Sequence, residues 1–205
     1  MTTPLCKLAE LYRVDKTPSI HHDYTPSYNE ILYPLKEKIN TVLEIGIGHY
    51  GLMAPICGNT YKHGASLRMW RDYFPNAHIV GCDIMDSVIF NDDNRISTYI
   101  ANQSDKESLL NLINEDINPE SGYIDLIIDD GSHSENDQRI SFETLWQFVR
   151  PNGGLYIIES IWVGEMLDRI ANLPSILGFN DAQLIKKYHG KKDYQGFVIF
   201  KKIIL

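Results

Sequence analysis

The chain has 205 residues, of which 43% are hydrophobic and 22% are charged, and its 19 basic and 27 acidic side chains give a net charge of −8. These values are typical of one ordinary folded domain. An acidic chain is repelled by polyanions within a Debye length of about 8 Å, so generic binding to nucleic acid or to an anionic membrane is disfavoured. We therefore expect a small-molecule partner, with no nucleic acid and no membrane.

The sequence shows no pattern typical of a membrane helix or of a signal peptide. The apolar runs are far shorter than the roughly 20 residues of a membrane helix, and the first ten residues lack the apolar stretch of a signal peptide. The three cysteines, Cys6, Cys57 and Cys82, are odd in number and widely spaced, which fits neither a disulfide framework nor a metal knuckle. The sequence predicts a cytoplasmic protein with reduced, packed cysteines.

Short runs rich in β-branched residues alternate with longer amphipathic stretches, which is the pattern of an α/β domain. Helices are predicted between these runs, with Ser104 and Ser134 as the N-caps of two of them. The predicted parallel strands are 41–47, 78–83, 95–101, 124–129 and 154–158, and the predicted helices are 66–73, 105–115, 135–148 and 163–172.

The two ends of the chain differ from this pattern. The strand-like runs 182–188 and 194–201 are joined by only five residues, too few for a crossover helix, so they are predicted to be antiparallel neighbours. Residues 1–40 combine prolines with tyrosine and histidine side chains and few aliphatic runs. We interpret them as a cap or lid over the sheet, or as an extension that only covers apolar surface, ahead of a main domain at 41–205.

A glycine turn follows the first predicted strand. Gly46 and Gly48 allow the backbone to approach a ligand, and with Gly51 they match a dinucleotide pattern. Two observations disfavour a dinucleotide: residues 52–63 contain Pro55 and are not predicted to form a helix that could hold a pyrophosphate, and Glu44 would repel phosphate. A carboxylate there suits a ligand that carries positive charge.

Polar side chains also follow the next two strands. Asp83 ends the second strand, where an acid can accept hydrogen bonds from a ribose diol, and Asn102 and Gln103 follow the third at the height of an adenine edge. Ordinary strand-end polarity is the alternative for these residues.

An acidic cluster is expected where the fourth and fifth strands end. The fourth ends in Asp129, Asp130, Gly131, Ser132 and His133, and the fifth in Glu159, so their adjacent ends would bring Asp130, His133 and Glu159 to one cleft. Gathered carboxylates repel each other unless a cation lies between them, and oxygen ligands favour Mg²⁺, Mn²⁺ or Ca²⁺. A simple turn is the alternative for the two aspartates alone.

The strings VLEIGIGHYG, GASLRMWRDYFPNAHIVGCDI, NQSD, IDLIIDDGSH and SFETLWQFVRPNGGLYIIES resemble the class I S-adenosylmethionine-dependent methyltransferases. More narrowly, they resemble the metal-dependent sugar O-methyltransferases that act on macrolide-linked deoxysugars and on sugars of bacterial surface polysaccharides. The resemblance implies a Rossmann-like fold with a mostly parallel sheet. It assigns the residues Glu44, Gly46, Gly48, Asp83, Asn102, Gln103 and Asp129 to cofactor binding.

The resemblance also implies that Asp130 and Glu159 bind Mg²⁺, or Mn²⁺ or Ca²⁺, and that His133 with Asp130 carries the catalysis as general base. The expected reaction is methyl transfer from S-adenosylmethionine to a sugar hydroxyl, with a nucleotide-activated or glycoconjugate sugar as acceptor in polysaccharide biosynthesis, carried out by a homo-oligomer. Guesses for acceptor contacts are Tyr24, Tyr28, Arg68 and Trp162.

Other functions remain open at this point. A catechol-like or natural-product O-methyltransferase is the nearest alternative. An NAD(P)-dependent oxidoreductase is less consistent, because the tyrosine–lysine pairs of short-chain reductases occur only as Tyr12 with Lys16 and Tyr188 with Lys192, both misplaced in the chain. A non-enzymatic nucleotide-binding domain would leave Asp130, His133 and Glu159 without a role.

Overall fold

The computed structural model describes residues 2–91, 93–119, 121–190 and 194–204. Within these ranges seven strands form a single sheet in the order β3-β2-β1-β4-β5-β7-β6. Strands β1 to β5 are parallel, and β7 is antiparallel to both of its neighbours. The strands are β1 (Thr41–Ile45), β2 (His78–Asp83), β3 (Ile96–Ile100), β4 (Leu126–Asp129), β5 (Leu155–Trp162), β6 (Ala182–His189) and β7 (Gln195–Lys202).

This architecture confirms the predicted α/β fold with a C-terminal antiparallel pair. Part of the short connection predicted between the last two strands, at 191–193, lies outside the described residues, as does Lys192. The helices are α1 (Pro4–Tyr12), α2 (Thr25–Leu32), α3 (Tyr50–Cys57), α4 (Ala65–Tyr73), α5 (Lys106–Asn111, continued by a π-helical turn at Leu112–Ile117), α6 (Glu135–Leu145), α7 (Glu165–Ala171) and α8 (Leu173–Leu177). In the described ranges, none of the helices has the length and apolar character needed to cross a bilayer.

Helix α3 corrects the prediction that residues 52–63 lack a helix. His49 caps it, with Nδ1 accepting a hydrogen bond from the backbone N–H of Gly51 at 3.1 Å. Pro55 removes one backbone donor, but the helix has only eight residues and ends at Gly58, whose φ is +91°. A proline therefore interrupts few bonds here, and the helix survives it.

The N-cap of α5 is also different from the prediction. Asp105 rather than Ser104 accepts hydrogen bonds from the first turn, including one of 2.9 Å from the N–H of Glu107. Ser104 instead donates to Asn102 Oδ1 at 2.8 Å. Ser134 does precede α6, as predicted, although its side chain makes no capping hydrogen bond.

Successive side chains of each strand point to opposite faces of the sheet, so the hydrophobic core has two layers. One face of the sheet packs against α1, α2 and α4 and buries residues such as Tyr28 and Trp70; the other packs against α5, α6 and α7 around Phe142. The first layer contains Leu5 and Tyr24 from the N-terminal segment, fully buried. Residues 2–40 thus cover one face of the sheet, and the use of the N-terminal segment as a lid stays a prediction.

The fifth strand is longer than predicted, and this changes the place of Glu159. Antiparallel pairing with β7 continues through Ile161 and Trp162, with an irregular register between Ile158 and Ile161. Ser160 lies in this irregular stretch with a φ of +56°. Glu159 therefore lies within the strand at a bulge, between the paired residues Ile158 and Ile161, and not at a strand end.

The sheet reverses its order between β1 and β4, and the carboxyl ends of these strands leave a crevice at that point. Gly46 closes its floor: its φ is +97°, and a β-carbon added there would lie 2.2 Å from the carbonyl oxygen of Asp130. Any side chain at this position would push the turn away from the loop that follows β4.

We predict that Gly46→Ala lowers the free energy of unfolding by about 3 kcal/mol, because it adds a backbone clash to the strain of a left-handed conformation. Gly178→Ala is the matched control. Its φ is +76°, but a β-carbon there meets nothing within 4 Å, so it carries the strain alone, about 1 kcal/mol. Urea unfolding of both variants measures the difference. Equal losses would show that the close approach of the two loops is not required.

Candidate active site

A cavity of about 360 Å³ opens at the carboxyl ends of β1, β2 and β4. It brings together residues that the sequence analysis assigned separately to cofactor binding and to catalysis. The predicted site residues that line it are Gly46, Gly48, Asp83, Asn102, Gln103, Asp130 and His133.

Asp83 ties the glycine turn to the end of β2. Its Oδ2 accepts a hydrogen bond of 2.9 Å from the N–H of Ile47, and its Oδ1 accepts one of 3.0 Å from the N–H of Met85. Each carboxylate oxygen has a further lone pair, so a diol in the cavity can still bind. Asp83 is thus held rigidly in the position predicted for a ribose contact.

Asp129 does not line the cavity. It is fully buried beneath it, where its Oδ1 accepts a hydrogen bond of 2.6 Å from Gln103 Nε2 and its Oδ2 accepts one from the Ser141 hydroxyl. Burial raises the pKa of Asp129 to about 6. Gln103 Oε1 in turn accepts the N–H of Ser132 at 2.8 Å. Asp129 therefore fixes the orientation of Gln103, and its part in cofactor binding stays a prediction.

His133 and Asp130 form the pair with acid–base chemistry. His133 adopts a φ of +59°, and its Nε2 lies 3.2 Å from Asp130 Oδ1, with 40% of its side chain exposed. Donation by Nε2–H to this carboxylate leaves Nδ1 free to accept a proton. Burial alone would lower the pKa of His133, but the hydrogen bond and charge of Asp130 outweigh it and raise that pKa.

Lys16 reaches this site from the turn after α1. Its Nζ donates to Asp130 Oδ2 and, at 2.8 Å, to Glu159 Oε2, and the lysine is only 1% exposed. Burial opposes the charge of this ammonium, but the two carboxylates outweigh burial and raise the pKa of Lys16 above its ordinary value. The same contact holds the pKa of Asp130 low in spite of burial. Lys16 therefore carries a positive charge at the point where a metal ion was expected.

Glu44 and Glu159 are fully buried and are not part of the cavity wall. Both lie on the sheet face covered by the N-terminal segment, near Lys16. Burial raises the pKa of Glu44 to about 7, partly opposed by the Lys16 ammonium. Burial likewise raises the pKa of Glu159 above its usual range, again against the effect of Lys16. Glu44 is a fully buried carboxyl group just before the glycine turn, and its part in cofactor binding stays a prediction.

The four guesses for acceptor contacts do not line the cavity. Tyr24 and Tyr28 are fully buried and pack against Phe197, with ring centroids 5.2 and 4.6 Å away. Arg68 donates to the carbonyl of His63 at 2.8 Å, and its guanidinium lies over the ring of Phe90. Trp162, which is 56% exposed, is the one member of the four that offers most of its surface to solvent.

Sequence reasoning missed Lys16 as a site residue. The lysine was noticed only as part of a misplaced tyrosine–lysine pair with Tyr12. One signal could have indicated it. Lys16 belongs to the segment that the sequence predicts to pack over the sheet, and a segment in that place can bring polar side chains close to the strand ends. His49 and Ser66, which also line the cavity, carried no pattern of their own.

The fold is that of the class I methyltransferases. No protein-family model matches the chain. The structure superposes with a TM-score of 0.73 on MycE methyltransferase from the mycinamycin biosynthetic pathway in complex with Mg and SAH, at 30% sequence identity, and the match covers 98% of this chain and 56% of that one. A further MycE structure also contains mycinamycin VI. The O-methyltransferase TomG from Streptomyces achromogenes matches at 15% identity with a TM-score of 0.59 and shares the fold alone.

Within this class the chain is a homologue of the sugar O-methyltransferases. It is 37% identical to L-olivosyl-oleandolide 3-O-methyltransferase of Streptomyces antibioticus over 80% of this chain, and 39% identical to mycinamicin VI 2''-O-methyltransferase of Micromonospora griseorubida over 77%. The matches cover 39% and 36% of those proteins. The chain thus spans less than half the length of the curated relatives it matches.

We predict that Glu44→Gln stabilises the protein increasingly as the pH rises. The carboxyl group has a pKa of about 7 in the fold, above the ordinary value of 4.5, so the native protein loses stability as the group ionises. The gain of the variant should be small below pH 4.5 and reach about 3 kcal/mol above pH 7. Urea unfolding at pH 5 and pH 8 measures it. Glu115→Gln, at an exposed position, is the control and should show no such trend.

Proposed function

We propose that the chain carries the catalytic domain of an S-adenosylmethionine-dependent O-methyltransferase whose acceptor is a sugar hydroxyl. The observation that carries the proposal is the shared cavity: the glycine turn, Asp83 and the hydrogen-bonded pair Asp130 and His133 all line it. The two relatives named above, which methylate sugar-bearing natural products, support the same reaction class.

The cavity fits the methyl donor by its shape and donor set. A β-carbon on Gly48 would lie 2.4 Å from the Tyr61 hydroxyl, so the turn is as close to its neighbours as glycine allows. Asp83 offers a carboxylate for a diol, and Asn102 and Gln103 lie on the side expected for a base. S-adenosylmethionine, when bound, supplies a methyl group on a sulfonium for in-line displacement by the acceptor oxygen. The turn and Asp83 would hold it in place.

His133 would remove the acceptor proton. A sugar hydroxyl is almost wholly protonated at neutral pH, so methyl transfer is accelerated when a base accepts its proton, typically by about 10² to 10⁴-fold. Nδ1 of the neutral ring is available for this, because Nε2 is directed to Asp130. Asp130 fixes the orientation of the ring and stabilises the imidazolium that forms, and the proton can then leave through the exposed part of the side chain.

A divalent cation enters the proposal through the relatives, since MycE was solved with Mg. The residues of this chain do not fit it in the arrangement seen here, because the Lys16 ammonium already lies between Asp130 and Glu159. In the described ranges there is also no group of three histidine, cysteine or acidic side chains placed to hold a metal. Binding of Mg²⁺, Mn²⁺ or Ca²⁺ by Asp130 and Glu159 therefore stays a proposal that requires Lys16 to move.

The relatives narrow the acceptor. The names of two of them specify an olivosyl or a rhamnosyl group that is already joined to an aglycone. We propose a glycoconjugate sugar of this kind ahead of a nucleotide-activated sugar. A role in polysaccharide biosynthesis, a cytoplasmic location and a homo-oligomeric state stay predictions.

We predict that His133→Ala and Asp130→Asn each reduce turnover at least 100-fold, because one removes the base and the other its orienting charge. Binding of S-adenosylhomocysteine should stay within about threefold of the wild-type value, since the side-chain hydrogen bonds of the two residues go to Lys16, to Ser160 and to each other, and not to the glycine turn. Transfer of a labelled methyl group to a panel of rhamnosyl and olivosyl glycosides measures turnover, and calorimetry measures binding.

His78→Ala is the control, because His78 begins β2 at the opposite end of the strands and its side chain contacts the Ser97 hydroxyl, with Nε2 2.9 Å from Oγ. It should retain full activity. Wild-type rates in the His133 variant would contradict its role as base, and failure of the wild-type protein to methylate any glycoside of the panel would contradict the proposed acceptor.

A further inference from the structure

Lys16 occupies the position between the two predicted metal ligands. Its ammonium contacts Oδ2 of Asp130 and Oε2 of Glu159, one oxygen from each carboxylate. The side-chain exposures of the lysine and of Glu159 are 2% and 0%, so bulk water does not screen the contact. The sequence predicts a metal cation between these two carboxylates. In the structure the cation at this position is the ammonium group of Lys16.

The lysine is held there by its backbone. The carbonyl of Lys16 accepts hydrogen bonds from the N–H groups of Tyr24 and Thr25 at 3.1 and 3.0 Å, and the carbonyl of Asp15 accepts one from His22 at 2.7 Å. These bonds close residues 15–25 into a loop that continues directly into α2. The backbone hydrogen bonds of this loop therefore fix the position from which the Lys16 side chain reaches the two carboxylates.

A metal ion and this ammonium cannot use the same two oxygens together. A magnesium ion binds carboxylate oxygens at about 2.1 Å, and an ammonium nitrogen already lies 2.8 Å from Glu159 Oε2. Two like charges would then meet in a buried site, where their repulsion is strong. The remaining oxygen of Asp130 does not offer an alternative, because it accepts from His133 and lies 3.3 Å from the Ser160 hydroxyl.

We infer that Lys16 is the resident cation of the pair Asp130 and Glu159, and that a divalent metal ion binds these carboxylates only by displacing Lys16 with the loop 15–25. The N-terminal segment thus regulates access of metal to the site. This inference concerns the site of the proposed function, but it does not require methyl transfer, because its test measures metal binding.

The test compares the affinity of three forms of the full chain for Mn²⁺, measured by the loss of the free-ion signal in electron paramagnetic resonance. Lys16→Met removes the charge and keeps the length of the side chain, and we expect it to bind Mn²⁺ at least tenfold more tightly than the wild-type protein. Lys16→Arg keeps a cation and should bind as weakly as the wild type. Lys7→Met, the same change at an exposed position of α1, should not alter the affinity.

Adding Asp130→Asn to Lys16→Met should abolish the gained affinity, which assigns the bound ion to this pair. Equal affinities of the wild-type and Lys16→Met proteins would overturn the inference. Absence of Mn²⁺ binding in a folded Lys16→Met protein at millimolar concentration would also overturn it. Both outcomes leave the proposed function untouched, because binding of S-adenosylhomocysteine and methyl transfer are measured separately.

A second measurement uses the wild-type protein and so does not depend on the folding of a variant. Hydrogen exchange of the backbone amides in residues 14–25 should increase at least threefold in the Mn²⁺-bound protein, because displacement of Lys16 opens the loop. Exchange in β4 should not change. Bound Mn²⁺ with unaltered exchange in residues 14–25 would overturn the displacement.

Discussion

The structure depends on the compensation of buried negative charge at the carboxyl ends of β1, β4 and β5. Glu44, Asp130 and Glu159 converge there, and Lys16 is the cation that the fold places among them. Charges removed from water are tolerated only when they are paired or neutralised. The lysine pairs with Asp130 and Glu159, and the raised pKa values of Glu44 and Glu159 reflect their burial, which the ammonium offsets only in part.

Strand alternation explains why this balance involves the N-terminal segment. Side chains of a strand point alternately to its two faces, so Glu44 shares a face with Val42 and is directed toward α1, α2 and α4. Asp129 faces the opposite layer, where Gln103 and Ser141 bind it. Two adjacent aspartates thus have separate structural environments: Asp129 supports Gln103 in the cavity wall, and Asp130 lines the cavity beside His133.

Most of the fold could be predicted from the sequence. Strand positions follow from β-branched runs, and the antiparallel C-terminal pair follows from a connection too short for a helix. The errors arise where tertiary contacts override local signals. The length of β5 is set by pairing with β7, which local periodicity does not reveal, and α3 tolerates Pro55 because its short length leaves few bonds to lose.

The convergence of the candidate site residues could be predicted where they follow strand ends, and could not be predicted where it depends on distant parts of the chain. Asp83, Asp130 and His133 follow strands whose ends meet at one edge of the sheet, so their convergence follows from topology. Lys16 lies more than 100 residues from its partner Asp130, at a sequence separation of 114, and nothing in the spacing links them. The sequence predicts Tyr24 and Tyr28 as acceptor contacts, but both side chains are buried where the N-terminal segment packs on the sheet.

The lysine contact also bears on how the chain could be divided. A fragment starting at residue 41 would retain all the strands described here and the whole glycine turn. It would lose the ammonium that offsets the acidic groups, and it would bare the aromatic layer around Trp70 to solvent. The N-terminal segment is therefore part of the folded unit. A protein that contained the sheet without this segment would bury Glu159 without its cationic partner.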